Sequence, residues 1–148
     1  MTTPIFGVFM PQGWKMELVS IPDDQAKWAK AVEIAILAEK LGFDSIWVYD
    51  HFHNVPKPAH EAVFECWTTI AAISQRTSRI RLGQMVGCNL YREPALLAKI
   101  TSTIDVISGG RLDWGLARDG TKTSARAMAT TSRFPRSASR CCASAWRS

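Results

Sequence analysis

The sequence predicts an α/β protein built on a parallel sheet. Three observations predict it: short apolar runs rich in β-branched and aromatic residues, longer stretches with apolar residues at helical spacing, and strict alternation of the two in the order βαβαβαβ over residues 1–116. Two architectures satisfy that order, an open doubly wound sheet and the first half of a (β/α)8 barrel. A complete barrel takes about 250 residues, so a chain of 148 residues supplies about half of one.

The first strand is expected at Ile5–Met10, an apolar run that reads as buried and ends at Pro11-Gln12-Gly13. Asp23 or Asp24 then caps a long helix with Trp28, Ala31, Val32, Ala35, Ala38 and Leu41 on one face, and Gly42 stops it. Ser45–Tyr49 is the second strand. A polar loop with two prolines runs from Asp50 to about His60, followed by a second helical face of Val63, Trp67, Ile70 and Ser74 that ends near Arg76. Arg79–Val86 is the third strand. Pro94 sits in the first turn of a third helix, where its missing N–H costs nothing, and Leu97, Ile100, Ile104 and Ile107 form its stripe. Gly109-Gly110 ends that helix, and Arg111–Leu116 is the fourth strand.

Residues 117–148 break the pattern, with seven Ala, six Arg, six Ser and four Thr among 32 residues and no apolar stripe. They also carry the charge. Six Arg and Lys122 against Asp119 give the tail +6, which leaves 11 basic and 12 acidic residues, a net −1, in residues 1–116. The formal +5 of the chain therefore does not describe a basic body, and nucleic acid and anionic membrane are excluded as expected partners. A hydrophobic fraction of 47% with 21% charged residues is ordinary for a globular protein. No export signal or membrane span is read, so a cytoplasmic location is expected. The four cysteines, Cys66, Cys88, Cys141 and Cys142, show neither CxxC nor disulfide-framework spacing.

Ligands of parallel α/β folds sit at the carboxyl ends of the strands, which leaves three places. After the second strand stands Tyr49-Asp50-His51-Phe52, where a carboxylate beside an imidazole suits proton transfer near neutral pH, or where Asp50 caps a loop and His51 is simply solvated. After the third comes Gln84-Met85-Val86-Gly87-Cys88-Asn89, which reads either as a bulge that lets a flat ligand approach the backbone or as a plain turn. The third is Gly115, in Asp113-Trp114-Gly115, at the end of the fourth strand. His51, His53, His60 and Cys66 lack the spacing of a known zinc site, and no metal is expected.

These residues resemble a known family. Ala38-Glu39-Lys40-Leu41-Gly42-Phe43-Asp44-Ser45-Ile46-Trp47-Val48-Tyr49-Asp50-His51-Phe52 is similar to a signature of the luciferase-like monooxygenase superfamily, in its branch that uses the deazaflavin coenzyme F420. Leu82–Val86, Tyr91–Lys99 and Asp105–Leu116 resemble the signatures that follow, in the same order. The resemblance implies a TIM (β/α)8 barrel and redox chemistry on a small-molecule substrate, with F420 as cofactor or, alternatively, FMN in a monooxygenase. It implies His51 as the proton donor or acceptor at the reactive ring, with Asp50 contacting the cofactor. It further implies a bulge with a non-prolyl cis peptide at Met85 and Val86, with Gly87, Cys88 and Asn89 nearby.

The resemblance stops near Ala117. The family continues with Gly and Ala-Gly-Trp-Tyr-Glu, then Tyr-Gly-Tyr and Phe-Pro, whereas this chain reads Ala117-Arg118-Asp119-Gly120. Back-translation without the first two bases of the Ala117 codon permits Ala-Gly-Trp-Tyr-Glu-Asp-Glu, and over Met128–Arg133 it permits Tyr-Gly-Tyr-Asp-Phe-Pro. A change of reading frame near Ala117 is therefore expected, leaving residues 117–148 as a disordered tail outside the barrel; sequencing the coding DNA tests it. On that expectation the chain is an N-terminal half barrel, inactive alone, or a non-catalytic fragment that pairs with itself as a homodimer.

Overall fold

The computed structural model describes residues 4–88 and 90–117, so Asn89 and the tail from Arg118 lie outside the described residues. Seven elements follow in order: β1 (Gly7–Phe9), α1 (Asp24–Lys40), β2 (Ser45–Val48), α2 (Cys66–Ser74), β3 (Arg81–Cys88), α3 (Pro94–Ser108) and β4 (Leu112–Ala117). All three strand pairings are parallel, and the sheet order is β1-β2-β3-β4. A doubly wound sheet reverses its order at a switch point. Sequential order with every crossover helix leading to the next strand is what a (β/α)8 barrel segment has, and it decides between the two architectures.

The core lies between one face of the sheet and the helices. Ile46, Val48, Leu82 and Leu112 from the strands meet Ala31, Ala35, Ala38, Trp67, Ile70, Ile73, Leu97 and Ile104 from the helices. α1 turns Ala31, Ala35 and Ala38 to the core, and α2 turns Trp67, Ile70 and Ile73 to it. On the other face, Trp47 lies across glycines on both neighbouring strands. A Cβ at Gly83 would stand 2.4 Å from the indole, and one at Gly7 would stand 2.7 Å from its Nε1. Arg81 pairs with Asp113 on that face through both guanidinium donors.

Asp23 caps α1 by accepting from the Ala26 N–H at 2.6 Å, and Gly42 follows its end with φ +88°. Other expectations needed adjustment. β1 is shorter and less buried than its apolar run suggested, with Phe9 40% exposed, because it forms an edge of the sheet among the described residues. Val63 precedes α2 rather than belonging to it. The buried side of α3 is Leu97, Thr101, Ile104 and Ser108, with Ile107 43% exposed. Thr101 and Ser108 can be buried there because their hydroxyls donate to carbonyls of their own helix, Leu97 and Asp105.

β3 begins at Arg81 instead of Arg79 because the preceding N–H groups are taken by a side chain. The Glu39 carboxylate accepts from the N–H groups of Ser78, Arg79 and Ile80 at 2.7–3.1 Å, tying the end of α1 to the entry of β3. β3 also runs past Val86, since Gly87 and Cys88 pair with Leu116 and Ala117 beyond a register shift. Arg111 performs a similar service below β4, donating to the carbonyls of Ser74, Thr77, Ile80 and Ser108. The Gly109-Gly110-Arg111 stretch thus closes the amino-terminal end of the sheet, where a barrel keeps its stabilising contacts.

Burial acts to raise the Glu39 carboxyl, but the N–H groups of Ile80, Arg79 and Ser78 outweigh it and hold the pKa below its ordinary 4.5. A carboxyl lowered by folding stabilises the fold fully above its unfolded pKa, and that stabilisation is lost as pH falls through the lowered native value. The Glu39 contribution to unfolding free energy is therefore expected to be constant above about pH 5 and to be lost below about pH 4.5, so the acid loss of stability is shallower in Glu39→Gln, measured by urea titration at several pH values.

Candidate active site

The carboxyl ends of the four strands collect the residues that chemistry singled out. The segment after β1 provides Trp14, the segment after β2 provides Asp50 and His51, β3 ends in Met85–Cys88, and β4 contributes Gly115.

The turn after β1 is built around Gln12, which is fully buried. Its Nε2 donates to the carbonyls of Tyr49 (2.9 Å) and Phe64 (2.6 Å), and its Oε1 accepts from the Tyr49 N–H at 2.8 Å. One amide thus joins three segments. Gly13 follows with φ +90°, and a Cβ there would stand 2.0 Å from the Ala62 carbonyl oxygen. Below it, the Glu17 carboxylate accepts from the N–H groups of Gln12, Gly13 and Lys15.

This turn delivers Trp14 into a column of rings. Phe9 stacks on Tyr49 (centroids 4.4 Å, planes 3° apart), Tyr49 meets Trp14 at 4.2 Å, and Trp14 stacks on His51 at 4.4 Å and 11°. The Lys15 ammonium lies 5.1 Å from the centroid of the Trp14 ring. His51 is therefore half-buried at the end of an aromatic wall.

Asp50 is placed differently. Its side chain is 1% exposed and both oxygens are engaged: Oδ2 accepts from the Cys88 N–H (2.9 Å) and Arg92 Nη1 (2.7 Å), and Oδ1 from Arg92 Nη2 (2.9 Å). Arg92 also donates to Glu65, whose other oxygen caps α2 at the Thr68 N–H, and its guanidinium lies 5.9 Å from the Phe52 and Trp67 ring centroids. The network fastens the ends of β2 and β3 to the start of α2. Burial lifts the Glu65 carboxyl, but the N–H and hydroxyl of Thr68, the Trp67 N–H and Arg92 together bring it below the ordinary value. Next to it, burial and the charges of Asp50 and Glu65 push the Cys66 thiol far up, which leaves it a poor nucleophile.

At the end of β3 the Met85–Val86 peptide is cis, inside the register shift between Gln84 and Gly87. Met85 and Val86 are each 47% exposed, forming an apolar shelf at the carboxyl end of the sheet. Gln84 lies buried beneath it and donates to the Gly115 carbonyl, which brings Gly115 beside Val86. The structure thus joins Met85, Val86, Gly87 and Gly115 across β3 and β4, puts Cys88 at the Asp50 network, and places His51 on the aromatic wall; Asn89 lies outside the described residues. Among the described residues no three His, Cys, Asp or Glu side chains gather in a way that could hold a metal, and no helix is long and apolar enough to cross a membrane.

Sequence reasoning missed Gln12, Trp14, Glu65 and Arg92. Pro11-Gln12-Gly13-Trp14 directly after a strand was a usable signal, since a turn at a strand's carboxyl end in this fold borders the site. Arg92 lay in the Tyr91–Lys99 block, but only the fold sets it against Asp50, 42 residues away in sequence.

Known proteins resemble this chain in sequence and fold. The family model of luciferase-like monooxygenases matches residues 5–140. An F420-dependent glucose-6-phosphate dehydrogenase of Amycolatopsis mediterranei is 36% identical over 88 residues, which are 57% of this chain and 26% of that protein. An F420-dependent secondary alcohol dehydrogenase, solved with an F420-acetone adduct, superposes with a TM-score of 0.61 at 25% identity over 78% of this chain and 32% of its own. The oxygenating constituent of 3,6-diketocamphane monooxygenase from Pseudomonas putida, solved with FMN, shares the fold with a TM-score of 0.67 at 18% identity, over 86% of this chain and 33% of its own. The chain thus spans about a quarter to a third of the length of these relatives. With a singly wound parallel sheet and a family match over 5–140, this chain belongs to the luciferase-like monooxygenase family.

Proposed function

We propose that the carboxyl end of this sheet is the ring-binding mouth of an F420-dependent oxidoreductase, with His51 as its proton-transfer residue. The observation that carries the reading is the juxtaposition of an open apolar shelf, Met85–Val86 beside Gly115, with an imidazole fixed on an aromatic wall. The similarity to F420-dependent dehydrogenases supports the deazaflavin over FMN.

The residues fit the ring part of such a cofactor. A flat tricycle needs an apolar surface without protruding side chains. Among the described residues a Cβ at Gly115 would meet Val86 alone, at 3.7 Å, so the glycine leaves that surface flat. The bound deazaflavin would supply hydride donation or acceptance. The chain's own contribution is to support the ring on Met85 and Val86, to exclude water with Phe9, Trp14 and Tyr49, and to hold a proton on the His51 imidazole. Asp50 acts on this mouth by clamping the Cys88 N–H and Arg92, which fixes where β3 ends. Arg92 is committed to Asp50 and Glu65, so the phosphate-bearing arm of the cofactor is assigned to no described residue.

Titration of the 148-residue chain with F420 and with FMN, followed by cofactor fluorescence, tests the reading. Saturable F420 binding tighter than FMN, weakened about tenfold or more in His51→Ala, is expected; tenfold corresponds to about 1.4 kcal/mol. Tighter FMN binding would transfer the mouth to the flavin monooxygenases. A second reading, a non-catalytic fragment that self-associates, is favoured by the exposure of Phe9, Met85 and Val86 on the strands. Sedimentation as a dimer with neither cofactor bound would select it. The expected boundary at residue 117 moves by one, because Ala117 pairs with Cys88 and closes β4, and the tail from Arg118 lies outside the described residues.

A further inference from the structure

We propose that Trp14 is a positioning residue for His51, holding its imidazole face-on to the mouth and favouring its protonated form; this rests on the proton-transfer role assigned to His51 above. The indole covers one face of the imidazole at 4.4 Å and 11°, and Tyr49 stands 6.4 Å away at a tilt. A ring held in parallel contact has few orientations left.

Trp14 itself cannot easily move. Its carbonyl accepts from the Val55 N–H at 2.8 Å, its ring leans on Tyr49, and Tyr49 is backed by Phe9. Gln12 and Gly13 fix the backbone that carries it. The indole Nε1 is buried and has no hydrogen-bond partner among the described residues. An apolar ring would fill this place without leaving a polar group unmet. What the indole offers instead is its π face, the strongest among the aromatic side chains for a cation.

An imidazolium stacked on that face gains an attraction that neutral imidazole lacks, so Trp14 raises the protonated fraction of His51 near neutral pH. The Lys15 ammonium, over the same indole, works against it. Among the described residues the remaining titratable groups on the surrounding elements include Glu17, Tyr49, Asp50, His53, Glu65 and Arg92; Arg92 pairs with both Asp50 and Glu65, which leaves their network one negative charge. Substitutions at Trp14 leave those groups in place, so a change in His51 titration reports the indole.

The test is an NMR titration of the His51 imidazole in the full chain, wild type against Trp14→Leu and Trp14→Phe. The Leu variant is expected to bind the His51 proton about threefold more weakly, and the Phe variant, which keeps a ring with a weaker π face, to fall between. An unchanged titration in a folded Trp14→Leu overturns the proposal. If that variant does not fold, the wild type still decides: nuclear Overhauser contacts between indole and imidazole protons are expected, and their absence overturns it. F420 titration of the wild type and His51→Ala keeps the two claims apart. A His51 shift without any effect of His51→Ala on F420 binding would retain the Trp14–His51 coupling and remove the catalytic reading.

Discussion

Arg92→Ala is expected to cost the fold about 3–5 kcal/mol, the range for stranding one member of a buried ion pair. Asp50 would keep only the Cys88 N–H for a carboxylate that is 1% exposed, and Glu65 would lose its link to the end of β3. Small domains have about 5–15 kcal/mol in total, so the variant is expected to unfold at far lower urea, with an unchanged slope if the transition stays two-state. Arg92→Lys keeps the charge but not the two-pronged contact with both Asp50 oxygens, and should fall between. Combining Arg92→Ala with Asp50→Asn should recover part of the loss, because the unpaired buried charge is gone. A loss below about 1 kcal/mol, the level of an exposed pair, would mean that the network is not buried in solution.

Gly13→Ala is expected to be comparably damaging, about 2–6 kcal/mol from strained backbone and overpacking together. Two separate features forbid a side chain there: φ of +90°, and the Ala62 carbonyl oxygen 2.0 Å from where a Cβ would stand. Gly42 separates them. It has nearly the same φ, +88°, but no described residue lies within 4 Å of its Cβ position. Gly42→Ala should therefore lose only the backbone contribution, about 1–3 kcal/mol. The difference between the two variants in urea unfolding measures the contact with Ala62. Equal losses would show that Trp14 is carried by a turn with more room than the structure gives it.

Much of this fold was legible because the signals were local. Asp23, Gly42, Pro94 and Gly109 mark helix ends through capping chemistry that needs no distant partner. What could not be read was settled by contacts far apart in sequence. The entry of β3 moved to Arg81 because Glu39, 39 to 41 residues earlier, takes the N–H groups of Ser78, Arg79 and Ile80. The buried side of α3 turned toward Thr101 and Ser108 because small residues that bond their own helix fit under the sheet better than Ile107 does. The choice of a barrel over a doubly wound sheet needed the strand order, which periodicity does not carry.

The site divides in the same way. Asp50 and His51 were visible as a pair at a strand end, yet adjacency in sequence said nothing about where each points. Alternation sends neighbours to opposite sides: Asp50 turns in to Arg92 and Cys88, and His51 turns to Trp14. Gln12 and Arg92, the two side chains that bind segments together around the mouth, bond across 37 to 52 and 27 to 42 residues respectively. The residues stand in readable stretches of sequence, but their partners do not.

The most direct test of the proposed mouth is amide chemical-shift mapping of the isotope-labelled chain during F420 addition. The account predicts that the residues moving first and most are those at the carboxyl ends of the strands: Trp14, His51, Met85, Val86, Gly87 and Gly115. The opposite side of the molecule, represented by Val32, Ile36 and Leu37 in the groove along α1, should stay still. Shifts confined to that groove, or no saturable shifts at millimolar F420, would contradict the assignment of the strand ends as the cofactor site.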